Sequence, residues 1–215
     1  MTYLNLVNNV LRRLREEEVT SVTETAYSKL VSSLVNDAKR MVEDAWDWSA
    51  LRSTLTVTTV ADTFSYILVG SQNRIKLLDV LNDTSNFVME YGTAHVFNKR
   101  YLLDAPKVGS PEFYSFNGID SNGDTQVDLY PTPDAAYVLR FNSVLRTDDL
   151  SADTDKLTVP AQPVIHLALA MAARERGETG GTSAPEYFGI ADKYLSDAIA
   201  LDAQKHPEET IFYVP

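Results

Sequence analysis

Cysteine is absent from the 215 residues, which excludes disulfides, thiolate metal sites and a cysteine nucleophile. Histidine is nearly absent. His95, His166 and His206 stand far apart, without a spacing that suggests shared ligation, so a closed zinc site has no basis. Long apolar runs are missing as well. The longest, Val164 to Ala173, contains His166 and falls well short of the roughly 20 residues needed to cross a bilayer, so it predicts a buried helix and no membrane partner. The start carries Thr2, Asn5, Asn8 and Asn9 in place of a basic flank and a hydrophobic segment. No signal peptide is expected, and the chain is expected to be made in a cytoplasm. Cations are scarce: 19 Lys and Arg stand against 30 Asp and Glu, a net charge of −11. That balance opposes a nonspecific grip on nucleic acid, which needs clustered Lys and Arg to release counterions, but it is compatible with loose passage of DNA. No G-x-S-x-G, Gly-rich phosphate loop or dinucleotide fingerprint occurs, so neither catalysis nor a cofactor is expected.

The strongest pattern present is helical. From Ser21 to Trp48, Tyr27, Val31, Leu34, Ala38, Met41, Ala45 and Trp48 recur at steps of four and three, with Leu30, Val35 and Val42 widening the stripe. Ser21-Val-Thr-Glu24 reads as a capping box that starts this helix at Val22. Trp46 and Trp48 are expected to anchor its end in the core. An earlier helix runs from Tyr3 to Glu18, with Thr2 as its cap and Tyr3, Leu6, Val7, Val10, Leu11 and Leu14 on one face. Only Val19-Thr20 separates the two, which predicts an αα-hairpin. Arg12, Arg13 and Arg15, followed by Glu16, Glu17 and Glu18, form either a solvated, internally paired surface or a patch for a protein partner.

At Leu51 the period changes to two. Leu51 to Thr59 alternates, Phe64, Tyr66 and Leu68 suggest its return partner, and Arg74 to Asn82 pairs with Phe87 to Tyr91 across Asn82-Asp-Thr-Ser85. Thr93 to Leu103 favours a short helix. Glu112 to Phe116, Gln126 to Tyr130 and Tyr137 to Val144 have strand character, with Asn122-Gly123 as a tight turn between the first two. Asp120-Ser-Asn122-Gly-Asp124 begins like a calcium loop. Its sixth position is Thr125 where Gly belongs, and its twelfth is Pro131 where a bidentate Glu belongs, so a plain hairpin turn is preferred to an ion site.

Helices return after the Asp-rich stretch Thr147 to Leu157. Pro160 and Pro163 fit a first turn, Val164 to Ala173 is apolar on nearly all sides, and Gly177 is a C-terminal cap candidate. His166, in that apolar helix, is expected to be a core histidine with a backbone or carboxylate partner. Ser183-Ala-Pro-Glu186 opens a last helix bearing Tyr187, Ile190, Ala191, Tyr194, Leu195, Ala198 and Ile199, and Pro207 stops it. The tail then carries Ile211, Phe212, Tyr213 and Val214, too apolar for a free end. They are expected to be partner-binding residues on a docking arm, with folding back on the same subunit as the alternative.

The expected class is α+β: a four-helix bundle formed by N-terminal and C-terminal helix pairs, with an inserted antiparallel β module. The expected division is a helical hairpin over 1–50, the β module with its acidic linker over 51–157, a second helix pair over 158–206, and an extended arm over 207–215.

The start Tyr3-Leu-x-Leu-Val-x-x-Val-Leu-x-x-Leu14, the second helix ending Asp44-Ala-Trp-Asp-Trp48, the β insertion closing on Leu129-Tyr-Pro-Thr-Pro-Asp134, and the final Pro-led, Ala-rich helix pair resemble the head-to-tail adaptors of short-tailed phages, the tail tubular protein A-like family. The resemblance implies a structural virion protein and not an enzyme. It implies a ring, dodecameric, beneath a portal protein and receiving a tail nozzle protein, with DNA only as passing cargo and assembly in the host cytoplasm. It carries over no active-site residue, cofactor or metal. A non-catalytic binding or regulatory module that uses the β insertion as its ligand surface is the alternative from another class.

Overall fold

The computed structural model describes residues 1–72, 74–103, 106–177 and 183–205. In chain order the elements are α1 (Tyr3–Arg13), α2 (Ala26–Ala45), β1 (Arg52–Thr58), β2 (Ser65–Leu68), β3 (Ile75–Asn82), β4 (Phe87–Val88), β5 (Glu90–Tyr91), α3 (Ala94–Asn98), β6 (Phe113–Ile119), β7 (Thr125–Tyr130), β8 (Val138–Leu145), α4 (Ala161–Glu175) and α5 (Ser183–Ala203). They divide into two units: a helical unit of Met1–Leu51 with Thr147–Pro215, and a β unit of Arg52–Arg146.

In the helical unit, α1 is capped by the Thr2 hydroxyl and buries Tyr3, Leu6, Val7, Val10 and Leu11. It ends at Arg13, not at Glu18. The Asn8 side chain donates to the Val19 carbonyl at 2.9 Å and accepts the Val19 N–H at 3.0 Å, which pulls the chain into a turn that a longer helix would forbid. Arg15 takes φ 59° there. The start of α2 also moves. Its box is Thr25 with Ser28, each hydroxyl accepting the other's backbone N–H at 2.9 and 3.0 Å. Glu24 instead accepts the Thr20 N–H at 2.6 Å and hydroxyl at 2.8 Å, bonds that hold its carboxyl below the usual range. The two-residue hairpin connection is thus replaced by a structured link from Leu14 to Thr25.

The face of α2 that is buried runs through Ser28, Val31, Val35, Ala38, Lys39, Val42 and Glu43. The expected stripe is rotated: Met41 is 52% exposed and Ala45 lies outside the core. The helix stops before Trp48, which is 1% exposed and donates its indole N–H to the Val42 carbonyl at 2.7 Å. Trp46, extended at φ −155°, is half-buried.

Helix α4 begins behind Pro160, holds Pro163 in its first turn, and buries side chains on nearly every side because α1, α2 and α5 all pack on it. Helix α5 lies along α4, and among its described side chains Ala191 and Asp202 alone are buried. The stretch before α4 is a fixed loop. Asn36 exchanges two hydrogen bonds with the Leu150 backbone, each at 3.0 Å, and the Asp155 carboxylate takes the N–H groups of Ser151 and Ala152 at 2.8 Å.

The β unit is a pair of four-stranded sheets, ordered β1-β8-β3-β4 and β2-β7-β6-β5, enclosing Leu68, Val80, Met89, Val127, Leu129, Leu139 and Phe141. Adjacent strands in sequence therefore part company. β1 pairs not with β2 but with β8, from Arg52↔Val144 to Thr58↔Val138, while β2 pairs with β7. The expected strand Phe87 to Tyr91 splits at buried Met89, giving β4 on β3 in one sheet and β5 on β6 in the other, where it runs parallel. Gly123, at φ 86°, supplies the turn between β6 and β7.

Among the described residues, five α-helices and two sheets of four strands each replace the expected four-helix bundle with its inserted antiparallel module. Two facts overturn that expectation. The central residues bury enough apolar surface to form a two-layer sandwich with its own core, and α5 packs along α4 in place of closing a four-membered ring of helices.

Candidate partner-binding surfaces

Ile211, Phe212, Tyr213 and Val214 lie outside the described residues, as does His206. His95 is an exposed residue of α3 and His166 sits on α4, in different units. At the calcium-like turn, Asp120 Oδ1 accepts the N–H groups of Asn122 and Asp124, each at 2.8 Å. Asp124 Oδ1 accepts those of Gly70 at 3.1 Å and Gln72 at 2.9 Å. Carboxylates turned onto backbone donors close a hairpin and do not converge on an ion. No group of three or more His, Cys, Asp or Glu able to hold a metal occurs among the described residues.

The helical unit contains a polar core that the pattern of apolar residues concealed. Lys39 Nζ lies 3.0 Å from Glu43 Oε1 with both side chains removed from solvent, and it donates to the Thr147 carbonyl at 2.9 Å. The Thr147 hydroxyl donates to Glu43 Oε1 at 2.7 Å. The signal was present in the spacing: Lys39 and Glu43 continue the buried line at four residues and eight residues beyond Val35. This triad fastens Thr147, the first residue of the returning chain, to α2.

A second polar cluster ties down α5, where Asp202 accepts the Ser49 N–H at 2.9 Å, the Ser49 hydroxyl at 2.6 Å and Lys205 Nζ at 3.0 Å. Burial pushes this carboxyl up, but the bonds from Ser49 and Lys205 outweigh burial and hold it at about 2. His166 is not the expected core histidine. It is half-buried, its ring stacks on Tyr194 of α5 with centroids 4.3 Å apart, and its Nε2 is 3.1 Å from Arg13 Nη1. Burial first, then the Arg13 charge, depresses its pKa. Arg12 pairs with Glu18 at 2.6 Å, and Arg176 pairs with Glu16.

In the β unit, Phe87, Val88, Glu90, Glu112 and Phe113 line a cavity of about 280 Å³ at the edge where β4 hands over to β5. A second depression, of about 330 Å³, is lined by Arg52, Ser53, Thr54, Leu78, Asp79, Asn142 and Ser143. Its polar groups satisfy one another: Asn142 donates to Asp79 at 2.6 Å and accepts from Thr54 at 2.8 Å, and the Ser143 hydroxyl donates to the Ser53 carbonyl. Neither lining supplies a base poised on a nucleophile. Aromatic packing dominates the second sheet. The Arg100 guanidinium lies 4.6 Å over both the Phe113 and Tyr130 rings. Tyr101 donates to the Leu129 carbonyl, and burial drives its phenol up to about 12.

The two units are thus held by differently built cores. Residues 1–209 match the family described as SU10 adaptor protein, and the chain belongs to that family. It is a phage head-to-tail adaptor, a virion component that interacts with other head and tail components. No curated protein matches the chain. Among the described residues, no helix is long and apolar enough to cross a membrane.

Proposed function

We propose that the chain is a structural, non-catalytic subunit that assembles as a dodecameric ring between the portal protein and the tail nozzle protein, with DNA passing through the bore. Membership of the adaptor family over residues 1–209 carries this reading. Charge supports it. The helical unit holds eleven Lys and Arg against twenty Asp and Glu, a net −9, whereas the β unit holds eight against ten, a net −2. A bore lined by the helical unit repels a phosphate backbone within a Debye length of about 8 Å, so DNA slides without sticking. The helical unit forms the ring contacts, the β unit faces the nozzle, and Ile211, Phe212, Tyr213 and Val214 dock on a partner. Assembly takes place in the host cytoplasm, and the ring ends at the head-to-tail junction.

Co-assembly tests the reading. The purified chain mixed with its cognate portal is expected to give one discrete complex of fixed stoichiometry. Absence of a complex, or tight and salt-sensitive binding of duplex DNA by the isolated chain, contradicts it.

A further inference from the structure

Helix α5 carries an apolar line that stays exposed over much of its surface among the described residues. Ile190 is 42% exposed, Tyr194 39% and Leu201 65%. Their spacing puts them on one flank of the helix, roughly a quarter-turn from the Ala191 and Asp202 side that meets the core. A cation stands beside the middle of this line. Arg13 contacts His166, whose ring stacks on Tyr194, and no carboxylate pairs with Arg13 among the described residues. An occupant that fits must present acid first and apolar side chains next, in an extended run. This chain contains that run: Glu208-Glu-Thr-Ile-Phe-Tyr-Val214, outside the described residues.

We infer that residues 208–214 of one copy lie along α5 of a second copy, with Glu208 and Glu209 at Arg13 and Ile211 to Val214 over Tyr194 and Leu201. The inference rests on the ring reading and names the surface that receives the arm. The lengths agree. Tyr194 to Leu201 spans about 10 Å at 1.5 Å per helical residue, and the three steps from Ile211 to Val214 span about 10 Å when extended. The same arithmetic excludes the chain's own arm in this register. Lys205 stands about 16 Å along the axis from Tyr194, and the three steps from Lys205 to Glu208 reach about 11 Å at most. An arm turned back on its own helix sets its two glutamates beside Asp197 and leaves Leu201, the most exposed of the three, without an apolar cover. Contact between an arm and the next copy's helix is head-to-tail, the kind that closes into a ring.

The lack of native cysteine permits a direct test on the full chain. Leu201→Cys and Val214→Cys versions, distinguished by mass, are mixed at submillimolar concentration and oxidised. A disulfide joining the two different chains is the expected main product. Adding Arg13→Glu to the Leu201→Cys chain should cut its yield about tenfold, as loss of a charge-assisted contact does. Glu208→Arg with Glu209→Arg on the other chain should restore it, which a merely structural role for Arg13 does not predict. An intrachain disulfide in the dilute Leu201→Cys/Val214→Cys double variant overturns the inference in favour of a folded-back arm. Absence of any cross-link overturns it in favour of docking elsewhere. Both outcomes leave the ring reading standing, since portal co-assembly tests that separately.

Discussion

The two units of this adaptor are held together by different physics. The β unit encloses an apolar core between two sheets, is close to neutral, and contains twelve of the chain's twenty-one aromatic residues. The helical unit carries a net −9 and fixes its irregular segments with side chains that grip backbone: Asn8 on Val19, Asn36 on Leu150, Lys39 on Thr147 and Asp202 on Ser49. Area-driven cohesion does not depend on ionisation, whereas a charged, hydrogen-bonded core is conditional on ionisation and on every partner being present. In the proposed ring, this contrast places the acidic unit beside DNA and the aromatic unit against another protein.

The largest expected effect attacks the β core. Phe141→Ala removes a fully buried ring from between the sheets and should cost about 4 kcal/mol in denaturant unfolding, with the loss confined to β-unit probes. Lys39→Met should cost about 3 kcal/mol in the helical unit because Glu43 is left charged and buried, and Lys39→Met with Glu43→Leu should recover most of it. If the single and double variants are equally unstable, packing and not the ion pair governs that site.

Asp202 gives a smaller, pH-dependent effect. Its folded pKa of about 2 lies below the usual value, so the stability it contributes is complete above about pH 4 and is lost as pH falls toward 2. Asp202→Asn should lower stability at neutral pH by roughly 2 kcal/mol and remove that portion of the acid dependence. The smallest effect belongs to His166, whose pKa is depressed. The folded state takes up fewer protons than the unfolded one, so stability falls as pH drops from the ordinary histidine value near 6.5. His166→Gln should flatten that slope between pH 7 and pH 5, read from thermal melts.

Features governed by local chemistry were legible in the sequence. The Thr2 cap, the Pro-led and fully surrounded α4, the alternation of β1 and the Asn122-Gly123 turn each follow from residues within a few positions of one another. Features decided by partners far along the chain were not. The β1 pattern reports a half-buried strand but cannot say that its neighbour is β8, some 90 residues away, rather than β2. Ser21-x-x-Glu24 fits the capping-box pattern, yet the cap fell to Thr25, because Glu24 is held by Thr20 and Ser28 reaches the Val22 carbonyl. The contacts of His166 with Arg13 on one side and Tyr194 on the other join three helices and have no local signature. At the calcium-like turn the hairpin was legible but not its tie to Gly70 and Gln72, which donate to Asp124 from about 50 residues upstream.

In the proposed assembly the acidic helical unit surrounds DNA at the junction of head and tail. Imaging of the parent particle at a resolution that traces helices tests it most directly. A closed ring of this chain between portal and nozzle, with helical-unit carboxylates toward the bore, is the expected result. The chain found elsewhere in the particle, or a ring whose bore is lined by the β unit, would contradict it.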